Sequence, residues 1–399
     1  MIDAGSPEAP HLAERFMRPQ IRDLQGENIA SLAQLARGIP DVLTLWYGEG
    51  DQVTPDFIRD AASAALARGE TFYVPDMRGW PPLTAALAVY QTRLHGRAIG
   101  PDRTTVTPGG MQAVYLALAL VAQMGTNVVY LEPQWPNIRH AIHVIGAEPR
   151  AVALREAGGV WRFDLAAVKR ACDARTRAIV FSTPSNPMGW TARPEELAAL
   201  LAFGRERGIW IVSDELYARL HFAGEAAPSI LDVAGDEDLA LSINGFSKAW
   251  AMTGWRIGWI THPVSVGPAL SAMTQYVNSG TASFVQAGAL AALEQGEAVA
   301  RGVRDRCAEG VDIAYRVLGP VNRVRLPEKP AGGMYVFFSV EGEEDSSAVC
   351  RMILERARVG LAPGRLFGEA SRAHLRMCIC RDPAEIEDAC RRIASALAA

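Results

Sequence analysis

Short apolar runs alternate with amphipathic segments along most of the chain, from Thr54 to about Ser283. Each run is four or five residues long and rich in the aliphatic and β-branched residues that favour strands. The pattern predicts strands at Thr104–Thr107, Asn127–Leu131, Ala178–Ser182, Trp210–Ser213 and Leu239–Ile243.

The amphipathic segments carry helix start and stop signals. Thr54 and Pro55 precede the first of them, and Gly69 follows it. The pattern predicts helices at Asp56–Arg68, Pro82–His95, Met111–Gln123, Asn137–Val144, Asp164–Cys172 and Pro194–Arg207. Because strands and helices alternate, we expect an α/β fold whose mostly parallel central sheet is covered by helices on both faces.

The pattern changes after Ser283. A long helical stretch runs to about Leu318, and short strands and helices follow it at Met334–Phe338, Ser346–Arg358, His374–Cys380 and Pro383–Leu397. We therefore predict a large domain over residues 54–285 and a smaller α+β domain over 286–399. We expect the N-terminal segment 1–53, which includes a short helical stretch around 28–37, to join the smaller domain, because domain termini often lie close together.

The composition excludes several classes of protein. The chain has 399 residues, of which 49% are hydrophobic and 21% charged, so it is not a largely disordered chain. Its net charge of −4 offers no basic surface for nucleic acid. The longest apolar run, Ala113–Ala122, is about half of the roughly 20 residues that a membrane-spanning helix needs. Residues 1–10 lack the pattern of a signal peptide, so we expect a cytoplasmic protein that contacts no membrane.

The metal-binding residue types are also scattered. The six cysteines and seven histidines have neither the spacing of a disulfide framework nor that of a zinc site. We therefore expect no metal.

In an open α/β sheet, ligands bind beyond the carboxyl ends of the strands, and four loops at such ends are chemically unusual. The first contains Gly109 and Gly110 between a strand and a helix. Two glycines allow close backbone approach, and a helix N-terminus attracts phosphate. A glycine turn that serves packing alone is an equal alternative.

The second and third loops present single polar side chains. Pro184 and Pro187 fix the loop that carries Asn186, although an ordinary proline turn has the same pattern. Asp214 ends an apolar strand, and Tyr217 lies three residues further on. An acid at that place either caps the next helix or pairs with a cationic nitrogen of a ligand.

The fourth loop, residues 244–259, contains Lys248 in small, apolar surroundings and Arg256 eight residues later. A desolvated lysine has a lowered pKa and becomes a usable amine nucleophile. An arginine can bind phosphate through two parallel hydrogen bonds. A solvated surface lysine is the alternative for any single lysine.

In order and spacing, the four loops resemble those of the pyridoxal-phosphate (PLP) aminotransferases of fold type I, class I/II, the group that includes aspartate aminotransferase. The run Ser-Lys-Ala-Trp-Ala-Met-Thr-Gly-Trp-Arg-Ile-Gly at 247–258 is the most specific part, and the resemblance extends from about residue 43 to the end. It implies PLP as cofactor and a homodimer with shared active sites. It also implies ping-pong transfer of an α-amino group from an amino acid to a 2-oxo acid.

The resemblance also implies a role for each matching residue around the cofactor ring. Lys248 matches the residue that forms the Schiff base and moves the proton. Asp214 matches the partner of the pyridine nitrogen, and Asn186 and Tyr217 match the hydrogen-bond partners of the phenolic oxygen. Trp135 matches the aromatic residue that stacks on the ring.

The remaining matches concern the phosphate and the substrate. The backbone of Gly110 and Met111, with Arg256, would hold the phosphate, and Tyr73 would reach the phosphate in the other subunit. Arg376 matches the residue that binds the substrate α-carboxylate.

Gly48 matches the glycine that lines the carboxylate site. Trp46 and Tyr47, directly before it, are bulkier than the family's usual residues there. We expect Tyr47 to shape a pocket for apolar or aromatic side chains, with packing of both rings into the smaller domain as the alternative.

Three departures from the family pattern leave every catalytic group in place. Met188 replaces a threonine, Gly50 a proline, and Gly245 a serine that can contact the phosphate. Two other functions stay open at this stage. A PLP-dependent β-lyase would use the same residues. A non-catalytic PLP-binding regulator would carry a basic DNA-binding domain before this fold, and the roughly 50 residues ahead of the match contain no basic helix.

Overall fold

The computed structural model describes residues 12–22, 24 and 29–398. A central sheet of seven strands dominates it. Their spatial order is Thr104–Thr107, Gly258–Thr261, Ala240–Gly245, Trp210–Asp214, Thr176–Ser182, Asn127–Glu132 and Glu148–Ala153. Every neighbouring pair is parallel except the two that involve Gly258–Thr261. The predicted α/β fold with a mostly parallel sheet is therefore confirmed.

Helices cover both faces of this sheet, as the burial along one strand shows. In Asn127–Glu132, Val128 and Tyr130 belong to one apolar cluster, whereas Val129 and Leu131 belong to another. Successive side chains of a strand point to opposite faces, so the strand is buried on both sides and has no polar positions in its middle. This is why the central strands are recognisable as short apolar runs.

For each predicted α-helix that is present, the first and last residues lie within three positions of the predicted ones. Their bounds are Leu12–Arg15, Pro19–Arg22, Ile29–Leu35, Asp56–Ala67, Pro81–His95, Gly110–Val121, Pro136–Val144, Leu165–Ala171, Pro194–Arg207, Gly267–Val277, Ser283–Gln295, Glu297–Leu318, Ser346–Ala357 and Pro383–Ala398. The long stretch after Ser283 is two helices. They break at Gly296, where a β-carbon would lie 2.4 Å from the carbonyl oxygen of Ala292.

Two strands of the central sheet are absent from the sequence prediction. Glu148–Ala153 is the edge strand, and only one of its side chains is fully buried, so it has no apolar run. Gly258–Thr261 follows the lysine loop and returns antiparallel between two parallel strands. Its position depends on pairing with distant strands and not on a local pattern.

A second, antiparallel sheet belongs to the C-terminal part of the chain. Its strands lie in the order Val324–Arg325, Tyr335–Val340, His374–Cys378 and Ala362–Pro363. The helices Glu297–Leu318, Ser346–Ala357 and Pro383–Ala398 contribute to the apolar cluster around it. A hairpin of Arg155–Ala157 and Val160–Arg162 stands apart from both sheets. Among the described helices, none combines the length and the hydropathy needed to span a bilayer.

The N-terminal segment contacts this C-terminal part. Leu43–Thr44 pairs in parallel with Val359–Gly360, and Leu45 lies in the same apolar cluster as the second sheet. The proposed domain limits at residues 53/54 and 285/286 stay a prediction.

This pairing places Trp46 against Gly360 and generates a first testable prediction. A β-carbon on residue 360 would lie 2.0 Å from the Trp46 ring. Gly360→Ala should therefore lower the free energy of unfolding by about 1–3 kcal/mol, the cost of an overpacked core. Gly302→Ala is the matched control, because a β-carbon there has no atom within 4 Å and the residue lies inside a helix. Denaturant titration of both variants is the measurement, and equal stabilities would contradict the packing described.

Candidate active site

A cavity of about 220 Å³ lies at the carboxyl ends of the central strands. Eleven of the twelve predicted site residues line it, and Tyr73 is the exception. The other lining residues, which sequence reasoning did not select, are Ile29, Leu216, Ser247, Thr253 and Tyr335. The four loops singled out in the sequence therefore converge on one place.

Asp214 ends the strand Trp210–Asp214 as a buried carboxylate with little compensation. Its one hydrogen bond is a 3.3 Å contact from the backbone N–H of Leu216. The neighbouring Glu215 differs, since its carboxylate accepts hydrogen bonds from Ser229, Ser242 and the backbone of Ile230. Burial raises the pKa of Asp214 from 3.8 to about 7. The Glu215 carboxylate is therefore engaged in hydrogen bonds within the chain, whereas the Asp214 carboxylate is available to a cationic group of a ligand.

Lys248 follows the strand Ala240–Gly245, is half-buried and lines the cavity. Its Nζ donates to the carbonyl oxygen of Gly48 at 2.5 Å and lies 5.7 Å from the centre of the Tyr217 ring. Desolvation lowers the pKa of this amine from its ordinary 10.5. The solvated-surface alternative for Lys248 is therefore wrong. The lowered pKa favours the neutral amine, which is a nucleophile and a base.

Arg256 and the Gly109–Gly110 turn form the positive end of the cavity. A β-carbon on Gly109 would lie 2.5 Å from Arg256 Nη2, so glycine lets the guanidinium lie against the turn. The helix that starts at Gly110 has no side-chain cap, and its first N–H groups are free of helical partners. Arg256 Nη1 donates to the carbonyl oxygen of Thr253 at 2.7 Å and to no carboxylate in the described chain. A guanidinium and a helix N-terminus are both positive, and because the described chain gives them no counter-charge, together they indicate an anion site.

Arg376 lies in the middle of the strand His374–Cys378 and is only 2% exposed. Its Nη1 donates to Asn186 Oδ1 at 2.9 Å, its Nη2 donates to the carbonyl oxygen of Trp46, and its Nε has no partner in the described chain. The guanidinium carbon of Arg376 lies over the ring of Tyr335, 4.4 Å from the centre of that ring. No carboxylate of the described chain pairs with Arg376.

Two acids that follow Arg376 in the sequence, Asp382 and Glu385, would be its partners if it were a structural ion pair, but both lie beside other arginines. Glu385 pairs with Arg381, and Asp382 lies 3.9 Å from Arg306. The buried arginine therefore faces the cavity with part of its hydrogen-bonding capacity unused, as expected for a site that receives a carboxylate.

Tyr335 is the site residue that sequence reasoning missed. Its hydroxyl lies 2.9 Å from the hydroxyl of Tyr217, and a β-carbon on Gly48 would lie 1.9 Å from it. Glycine at position 48 is therefore needed for the N-terminal segment to pass over the Tyr335 ring. The glycine pair before Met334 is the only local signal at this strand, and it does not indicate a site.

Trp46 and Tyr47 separate into two environments. Trp46 is 3% exposed and packs against Gly360, whereas Tyr47 is 44% exposed and lines the cavity. The packing alternative therefore describes Trp46 and not Tyr47. Tyr73 lies away from the cavity of its own chain and is 80% exposed.

Gly245, which replaces a frequent family serine, is also explained by packing. A β-carbon there would lie 2.9 Å from Leu216 Cδ1. A second, more open cavity of about 400 Å³ is lined by Trp161, Trp190 and Lys329, but none of the predicted site residues reaches it. The described residues contain no cluster of His, Cys, Asp and Glu that could hold a metal ion.

Comparison with known proteins agrees with this site. The family model for aminotransferase class I and II matches residues 40–393. A probable aspartate/prephenate aminotransferase of Aquifex aeolicus is 30% identical over 91% of this chain and 92% of its own length. An arginine–pyruvate transaminase of Pseudomonas aeruginosa is 29% identical over 91% and 92%. The crystal structure of an aspartate aminotransferase from Thermotoga maritima superposes with a TM-score of 0.89 at 28% identity, over 96% of this chain and 100% of that one.

The chain belongs to the aminotransferase class I and II family. It is an aminotransferase, and pyridoxal 5′-phosphate is its cofactor. The cavity fits this cofactor in three independent ways. It offers a buried acid without a cationic partner in the described chain, an amine whose pKa is lowered by desolvation, and an arginine beside a glycine turn and a helix N-terminus.

The pKa of Asp214 generates a second prediction, on the protein without cofactor. Because its pKa is raised from 3.8 to about 7, the native state binds more protons than the unfolded state, and the unfolding free energy should fall as pH rises through that window. Asp214→Asn removes this titration. The variant should gain stability relative to the wild type by up to about 1.4 kcal/mol per pH unit.

Urea unfolding at several pH values measures this difference. In the presence of PLP the variant should lose its advantage, because a protonated ring nitrogen compensates the Asp214 carboxylate. A pH-independent difference between the cofactor-free proteins would contradict the assignment.

Proposed function

We propose that this chain transfers an α-amino group between an amino acid and a 2-oxo acid at the cavity of about 220 Å³. One observation carries the proposal. An acid, Asp214, and three basic side chains, Lys248, Arg256 and Arg376, line the cavity, and none of the four has an ion pair with a described residue. Asp214 and Arg376 are buried, and such charges are costly to bury unless a ligand compensates them.

PLP supplies an aldehyde carbon that accepts the amino group and a ring that withdraws electrons from the substrate α-carbon. Arg256 and the first N–H groups of the helix at Gly110 would hold its phosphate. Asp214 would keep a proton on the ring nitrogen, which strengthens that electron withdrawal. Tyr217 and Asn186 would orient the ring from one side, and Trp135 would cover its face.

The substrate would be held by Arg376 and served by Lys248. The fork of Arg376 matches a carboxylate, and its bonds to Asn186 and Trp46 fix its direction. Lys248 Nζ, whose neutral form is favoured by desolvation, would accept the proton that leaves the α-carbon and return it at the neighbouring atom. Its hydrogen bond to the carbonyl oxygen of Gly48 holds the amine in the cavity.

The experiment that tests this function is product analysis with an added 2-oxo acid. The wild type should convert that acid into the corresponding amino acid, and Lys248→Ala should lose this activity by several orders of magnitude. The chain has only two other lysines, Lys169 and Lys329, and both are exposed, so their alanine variants are matched controls. Borohydride reduction and peptide mapping should find the cofactor on Lys248 alone. Release of ammonia and pyruvate without any 2-oxo acid would move the function to a β-lyase.

We also propose a homodimer in which Tyr73 reaches the cofactor site of the other subunit. Large apolar side chains near Tyr73 are strongly exposed. Phe72 is 83% exposed, and Tyr276, next to the segment 278–284 that faces this loop across a surface cavity, is also 83% exposed. Exposed aromatic residues concentrated in this way are typical of a subunit interface. The cytoplasmic location stays a prediction from the N-terminal sequence.

Sedimentation should give about twice the chain mass of 43.1 kDa. Tyr73→Ala should weaken PLP binding, measured by absorbance titration, by about tenfold, roughly the worth of one hydrogen bond to a charged group. Met124→Ala removes another strongly exposed apolar side chain, three residues beyond the C-terminus of the helix Gly110–Val121, and should bind PLP normally. A monomer with full PLP affinity would contradict the shared site.

A further inference from the structure

We propose that the substrates of this enzyme carry uncharged, apolar side chains and that aspartate and glutamate are poor substrates in both directions. This inference rests on the proposed function and concerns the same cavity. The amino-group acceptor would accordingly be a monocarboxylic 2-oxo acid.

Each cation that lines the cavity already has another role in the proposed function. These cations are Lys248, Arg256 and Arg376. Arg376 would take the α-carboxylate, Arg256 would take the phosphate, and burial lowers the pKa of Lys248 and favours its neutral form. A substrate with a second carboxylate would have to bury that charge without a cationic partner, which is strongly unfavourable.

The surface left for the substrate side chain is apolar. Ile29, Tyr47 and Met111 line the cavity and offer one hydroxyl among them. Met111 lies in the first turn of its helix, beside the glycine turn that would hold the phosphate. Glu49, two residues after Tyr47, accepts a hydrogen bond from the cavity residue Thr253. Its negative charge further disfavours a second carboxylate.

In the proposed dimer, the surface around Tyr73 of the other subunit brings no free cation. The segments Thr71–Val74 and Asn278–Phe284, which form one surface cavity, contain neither lysine nor arginine. Between Arg256 and Arg301 the sequence has no basic residue other than His262, which is buried. Arg78, further along the Tyr73 loop, pairs with Asp76 at 2.9 Å. The segments that would meet the neighbouring site therefore cannot neutralise a substrate side chain.

Two unreactive acids test the side-chain preference on the PLP-loaded enzyme. Both 3-phenylpropanoate and succinate present one carboxylate to Arg376, but only succinate carries a second. Calorimetric titration should show 3-phenylpropanoate binding at least about tenfold more tightly. Equal or tighter binding of succinate would overturn the inference. Arg376→Lys should weaken both ligands, because it loses the planar fork but keeps the charge.

Half-reactions separate this inference from the proposed function. L-Phenylalanine or L-leucine should bleach the cofactor absorbance at least about tenfold faster than L-aspartate or L-glutamate. If no amino acid changes the absorbance, the proposed function itself fails, and the inference fails with it. If aspartate reacts as fast as phenylalanine, amino transfer stands and only the inference is overturned.

A gain-of-function variant gives the most direct test of this inference. Met111→Lys places a cation on the apolar wall and should tighten succinate binding at least about tenfold. Met111→Gln is the matched control, since it adds polarity without charge and should leave succinate weak. PLP absorbance shows that both variants still hold the cofactor. Unchanged succinate binding in a PLP-loaded Met111→Lys enzyme would contradict the placement of the side chain against Met111.

Discussion

Desolvation of charge without a counter-charge is the constraint on which this structure depends. Asp214 and Arg376 are buried and Lys248 is half-buried around one cavity, and the hydrogen-bond partners that the described chain offers to each are neutral. The penalty for each buried ion is on the order of several kcal/mol unless a ligand compensates it. The same desolvation raises the pKa of Asp214 and lowers the pKa of Lys248. In the proposed function, the cofactor and the carboxylate of a substrate would supply the missing counter-charges.

These side chains can meet around one cavity because glycines let backbone segments approach the cavity wall closely. Three glycines lie where a β-carbon would strike a group of the cavity wall: Gly48 against Tyr335, Gly109 against Arg256 and Gly258 against the backbone of Gly110. Each brings together segments that are distant in sequence. Gly360 has the same effect one layer further out, because it accommodates Trp46, whose carbonyl oxygen holds Arg376. The accuracy of the site therefore depends on residues that contribute no chemistry.

The family relationship and the substrate preference are separate properties of this chain. The residues proposed to hold the cofactor ring and phosphate come mostly from strand ends and the loops that follow them. The proposed side-chain wall comes from Ile29 and Tyr47 of the N-terminal segment and from Met111, which directly follows the Gly109–Gly110 turn. Relatives of about 30% identity are named for different substrates, aspartate and prephenate in one and arginine in another, so membership of the family does not by itself give the substrate.

The sequence by itself determined the alternation of buried strands and helices, because a strand covered on both faces must be an apolar run. It also determined the lysine, aspartate and asparagine of the site, because each lies in a local motif at the end of such a run. Only the tertiary structure decided that Trp46 is buried while Tyr47 faces the cavity, that Tyr335 pairs with Tyr217, and that Arg376 meets Trp46 across 330 residues of chain. These contacts join segments with no local signal in common, and their positions follow from how two sheets and the N-terminal segment pack together.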